Sequence, residues 1–169
     1  MFGARRASDR TMNTQPSRAQ ALQQRLICHA AVLLGISSKL PPTSQATHVS
    51  RQLLRSGTAA AANYGEARGA ESRSDFIHKL RIVLKELNET DVWLRLIVES
   101  SLLSPEKMSG IVAKNDELCR IIRHLLERPE GLKGTESDSS KTVQACRQDP
   151  STIAVIHSGP AVPDKRTVD

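Results

Sequence analysis

Four stretches of this chain repeat their apolar residues at about 100° per residue, and three of them are closed by residues that interrupt a helix. In the first, from Ser17, the residues Leu22, Leu26, Leu33, Ile36 and Leu40 fall on one stripe, and Pro41-Pro42 ends it. The second runs from about Thr47 to Arg68, with Val49, Leu53, Ala60 and Tyr64 on its inner face and Gly69 as its stop. Small residues from Ser56 to Ala62 predict close approach of a neighbouring backbone. The third opens at Ser72, with Asp75 at the reciprocal capping position. It aligns Phe76, Leu80, Val83, Leu84, Leu87, Leu94 and Val98. The fourth starts at Ser104-Pro105-Glu106, where Ser caps, Pro fits the first turn and Glu complements the dipole. Met108, Ile111, Leu118, Ile122, Leu125 and Leu126 form its stripe, and Arg128-Pro129 closes it. Amphipathic helices on short connections predict an all-α fold, an antiparallel up-down-up-down four-helix bundle over residues 17–130.

Aromatic residues are limited to Phe2, Tyr64, Phe76 and Trp93, which speaks against a sheet core. Residues 1–16 read as a flexible arm, with Met12 an alternative start to Met1. Residues 131–169, polar and rich in Pro, Gly and Ser, read as a disordered tail. Its one apolar stretch, Ile153 to Ile156, is either inert or a peptide able to add as a strand. Cys28, Cys119 and Cys146 show no metal-ligand spacing. No run of about 18 apolar residues exists, and the first residues lack the apolar core of a signal peptide. The expected location is cytoplasmic.

The third helix is apolar beyond its core stripe. Ile82, Val92, Trp93 and Leu96 project to its sides or back, which predicts a homo-oligomer interface there, unless helix one or the tail covers them. Metal chemistry is not supported. Asp75/His78 and His124/Glu127 have carboxylate–histidine spacing, but both histidines point away from their apolar stripes, whereas a bundle metal site needs inward ligands. His29 lies on the apolar face of helix one and reads as a hydrogen-bonded core residue. With no nucleophile–base motif and no phosphate loop, neither enzyme activity nor a cofactor is expected.

Net charge is +6. Residues 17–70 hold Arg18, Arg25, Lys39, Arg51, Arg55 and Arg68 against the single acid Glu66, whereas residues 71–130 hold ten basic and eleven acidic residues. The expectation is a basic surface on helices one and two, either solvated or contacting phosphates through Arg18, Arg25, Arg51, Arg55 and Arg68. So few aromatics leave little base stacking, so any nucleic-acid contact is backbone-driven and weakly sequence-specific.

The segment from Arg51 to Ile97 resembles the bacterial "four helix bundle protein" family, first described in proteins encoded in intervening sequences of 23S ribosomal RNA genes. The resemblance rests on Gln52-Leu53-Leu54-Arg55-Ser56-Gly57-Thr58, Ala62-Asn63-Tyr64, Glu66 with Gly69, Glu71-Ser72, Asp75-Phe76-Ile77-His78-Lys79-Leu80, Lys85-Glu86, Glu89-Thr90 and Trp93-Leu94. With the flanking helices it covers about residues 17–128. It implies an antiparallel four-helix bundle assembled as a ring-shaped homopentamer. It also points to a related branch, accessory proteins of diversity-generating retroelements, in which a basic barrel binds nucleic acid and a reverse transcriptase. Gly65 departs from the helix-forming residue common there, so helix two is expected to end early. Among the motif residues, Asn63, Glu66, Glu86 and Thr90 lie on or beside apolar faces and are expected to form one polar network at the helix 2–helix 3 junction. Two functions follow: an oligomeric scaffold binding RNA or DNA, or a protein–protein adaptor whose basic surface only solubilises it.

Overall fold

The computed structural model describes residues 16–127, and all of them belong to one helical unit. Helix α1 is Arg18–Ser37, α2 is Ser44–Arg68, α3 is Arg73–Glu99 and α4 is Pro105–Glu127. No strand occurs among the described residues. Consecutive helices run antiparallel and pack α1 on α2, α2 on α3 and α3 on α4; the α1–α4 seam that closes the square is the thinnest contact. The expectations for residues 1–15 and 128–169, Cys146 and the Ile153–Ile156 peptide included, fall outside the described residues.

Local signals set the ends. Ser17 and Gln20 exchange side-chain to backbone hydrogen bonds in a full capping box on α1. Thr43 caps α2, accepting from the Ala46 amide, so α2 begins three residues before the start that periodicity predicts. Ser72 caps α3 by accepting from the Asp75 amide. At the far end of α3, Ser101 sits at φ 53, the Leu102 amide donates to the Ile97 carbonyl and the Ser101 amide donates to Val98. That is the Schellman closure, built on serine where glycine is usual.

The expected early end of α2 at Gly65 is corrected: the helix continues to Arg68. Tyr64 and Ala67, on either side, are buried in the core, and that burial outweighs the roughly 1 kcal/mol propensity cost of one glycine. Gly57 behaves as the small-residue stretch predicts. A Cβ there would stand 2.1 Å from Leu33 Cδ1, so its absence lets α1 approach α2.

The core divides into two apolar clusters. One holds Leu22, Leu26, Ala60, Tyr64, Leu80, Val83, Leu87, Leu118 and Ile122. The other holds Leu33, Ile36, Val49, Leu53, Leu94, Ile97, Met108 and Ile111. Between them each helix contributes one buried polar residue: His29, Ser56, Thr90 and Asn115. They pair across the bundle. His29 Nε2 lies 3.1 Å from Asn115 Oδ1, Asn115 Nδ2 donates to the Leu87 carbonyl, and the Thr90 hydroxyl lies 2.9 Å from Ser56 Oγ. Polar pairs inside an apolar core are satisfied in one register only, so this layer fixes how far each helix slides along its neighbours.

Candidate nucleic-acid interface

A cation is most available to a phosphate where no carboxylate of its own protein already engages it. The ion pairs of the bundle therefore sort its arginines. Arg25, whose side chain is only 15% exposed, crosses from α1 to Glu117 of α4, and Lys114 reaches the same carboxylate at 2.8 Å. Burial alone would raise Glu117; these two cations outweigh it and hold the carboxyl below its usual range. Arg55 crosses from α2 to Glu89 of α3, with Glu86 3.9 Å away and Gln52 accepting from its Nε. The Trp93 indole first, and then Arg55, hold the Glu89 carboxyl low.

The five arginines expected to form one patch are thus divided. Arg25 and Arg55 brace helix to helix. Arg68 is exposed and donates to Gln23 Oε1 at 2.9 Å. Arg18 is exposed at the start of α1, and Arg51 stands exposed on α2 with no carboxylate in ion-pair range among the described residues. Arg51 and Arg55 are neighbours in sequence spacing, but Arg55 turns to α3.

The expected single network of Asn63, Glu66, Glu86 and Thr90 is likewise corrected. Asn63 Nδ2 donates to the Ala59 carbonyl of its own helix, and Glu66 takes Lys79 at 2.5 Å. Glu86 faces Arg55, and Thr90 joins Ser56 in the buried layer, also 2.9 Å from the Glu86 carbonyl. Of the four, only Glu86 and Thr90 are bonded to each other, through the Glu86 carbonyl, while Asn63 and Glu66 take other partners.

Of the proposed interface residues, Val92 (58% exposed) and Leu96 (40%) point outward from α3. Ile82 is half-buried, and Trp93 packs into the second cluster with its edge on His48 of α2. Sequence reasoning missed a second apolar surface, Ile27 (46%) and Leu34 (53%) on α1. Its signal was legible: the outward positions Gln20, Gln24, Ile27, Ala31, Leu34 and Ser38 contain no charge.

It also missed four cations on α3 and α4. Arg81 and Lys85 are exposed on the outer face of α3, and Arg120 and Arg123 on α4; none has a carboxylate in ion-pair range among the described residues. Summing charge along the chain hid them, because the remaining residues of both helices supply a matching number of acids.

The two histidine–carboxylate pairs stay apart from the core: His78 and His124 are exposed. Among the described residues no group of three or more His, Cys, Asp or Glu side chains could hold a metal ion, and no helix is long and apolar enough to cross a membrane. Cys119 is buried, and burial pushes its thiol up, away from reactivity.

The description of the 23S rRNA-intervening sequence protein family matches residues 22–124. Among solved structures, a protein of unknown function from the S23 ribosomal protein family of Bacteroides thetaiotaomicron shares 32% sequence identity. It aligns over 63% of this chain and 98% of its own length, with a TM-score of 0.60. Among curated proteins none matches.

Proposed function

Since this chain belongs to the 23S rRNA-intervening sequence protein family, we propose that it is a non-enzymatic, cytoplasmic, homo-oligomeric scaffold that holds RNA or DNA by the phosphate backbone. One observation carries the reading. Arg25, Arg55, Lys79, Arg95 and Lys114 have carboxylate partners, whereas among the described residues Arg51 and Arg68 of α2, Arg81 of α3 and Arg120 and Arg123 of α4 are exposed with no carboxylate in ion-pair range. Tyr64 is buried, and Phe76 and Trp93 are partly buried against the two clusters, which leaves little aromatic surface for stacking bases. Contact through phosphates is what the surface favours. Repetition of the surface in a ring, a pentamer in this proposal, adds avidity to weak single contacts. A reverse transcriptase or another nucleic-acid enzyme is the partner such an accessory scaffold would serve.

The test is the fluorescence anisotropy of labelled single-stranded RNA and duplex DNA with the full chain. Log affinity should fall linearly with log salt between roughly 50 and 200 mM, with little dependence on base sequence. No binding to either probe at the low-salt end would sink the reading.

A further inference from the structure

We infer that the nucleic-acid contact lies on the outer face shared by α3 and α4, on Arg81, Lys85, Arg120 and Arg123, and not on helices α1 and α2. This rests on the proposed function and places its site. Arg81, Lys85 and Asn88 follow each other at one-turn spacing on α3, about 10 Å in all. Arg123 of α4 donates to Asn88 Oδ1 at 3.4 Å, which sets the α4 cations beside those of α3. Arg120 lies one turn before Arg123, its Nε 3.4 Å from the Asp116 carbonyl oxygen of its own backbone. Two antiparallel helices thus present one basic strip.

Two of the acids beside it are engaged elsewhere, while Glu127 follows Arg123 by one turn. Glu89 takes Arg55, and the Asp116 carboxylate faces Arg95 at 4.0 Å. The strip is flanked by two surface depressions, one around His78 and Arg81, the other around Arg120 and His124. Further along the same face of α3, exposed Val92 and Leu96 flank Arg95, which is paired with Asp91, so the cations free of an ion pair lie in the first half of the helix. A protein partner would be met by a core of apolar anchors with charged residues at the rim. A polyphosphate backbone asks instead for repeated cations without a carboxylate in ion-pair range, and among the described residues this strip offers four.

The experiment compares variants of the full chain in the same anisotropy titration. Arg81→Glu/Arg123→Glu is expected to lose at least about tenfold in affinity and to flatten the salt dependence by about two units of slope. Arg51→Glu should stay within about twofold of the parent chain. Should the double reversal fail to fold by circular dichroism, Arg81→Gln/Arg123→Gln reads the same loss by removing charge alone. Loss confined to Arg51→Glu, with the α3–α4 variants unchanged, overturns this placement while the binding function stands. A parent chain that binds neither probe overturns the function itself. Tighter retention of polyglutamate than of RNA overturns both, because the partner would then be an acidic protein.

Discussion

At His29, burial decides the chemistry more than any neighbour does. Removal from water pushes its pKa down from 6.5 to about 4; the Asn115 hydrogen bond works against this and Lys114 adds to it. The imidazole is therefore neutral at pH 7. The Leu87 carbonyl occupies the Asn115 amide nitrogen, so Asn115 Oδ1 faces the ring and Nε2 must donate to it. Nδ1 is left buried without a partner. The unfolded chain, with the ordinary pKa, binds a proton that the folded state refuses. Stability is complete above pH 6.5 and falls as pH drops towards 4, by about 3 kcal/mol from this residue. Urea unfolding midpoints at pH 7 and pH 4.5 should separate accordingly, and the gap should narrow in His29→Leu, whatever that substitution does to absolute stability. A gap of unchanged width would show that another group drives acid loss. The sequence placed His29 in the core but could not supply its partner. Asn115 interrupts the stripe between Ile111 and Leu118, and only the fold shows that gap facing α1.

Elements were the most legible scale, because periodicity and caps are local. All four helices occur where the apolar stripes put them, although α1 ends at Ser37 and leaves Leu40, the last residue of its expected stripe, beyond the helix; Ser17, Ser72 and Pro105 mark starts as their chemistry requires. The misses share a cause. Thr43 was hidden behind Pro41-Pro42, and Gly65 looked like a stop because propensity is local while the burial of Tyr64 and Ala67 is not. The two glycines of α2 should accordingly answer alanine in opposite ways. At Gly65 the new Cβ meets only the end of Gln23, with Nε2 at 2.9 Å, a flexible group that can withdraw. Gly65→Ala should stabilise by about 0.5–1 kcal/mol through helix propensity. At Gly57 the Cβ would press into Leu33, which is fully buried and has no room to leave. Gly57→Ala should cost about 1–3 kcal/mol by overpacking. Thermal unfolding of the two variants beside the parent chain checks both signs, and equal shifts would contradict the close α1–α2 contact.

On the scale of the molecule, the chain's charge totals do not show which cations the fold pairs with its own carboxylates. Apolar exposure suffers less from that loss and leads to assembly. Ile27 and Leu34 expose one uncharged surface on α1, and Val92 and Leu96 expose another on α3, a helix that does not neighbour α1 in the square. A two-fold dimer buries one patch against its own copy and leaves the other bare. Two different patches are both covered when the α1 surface of each copy meets the α3 surface of the next, a heterologous contact that gives a ring if its rotation closes and an open filament if it does not. The consequence can be measured by mixing. Ile27→Lys/Leu34→Lys and Val92→Lys/Leu96→Lys, each alone, should lose the parent assembly in light scattering, since each lacks one half of every contact. Mixed at equal concentration, they retain one intact α1 surface and one intact α3 surface, and should form a one-to-one heterodimer that grows no further. If the α1 variant keeps the parent assembly while the α3 variant is monomeric, the contact is α3 on α3 and no ring follows from these surfaces.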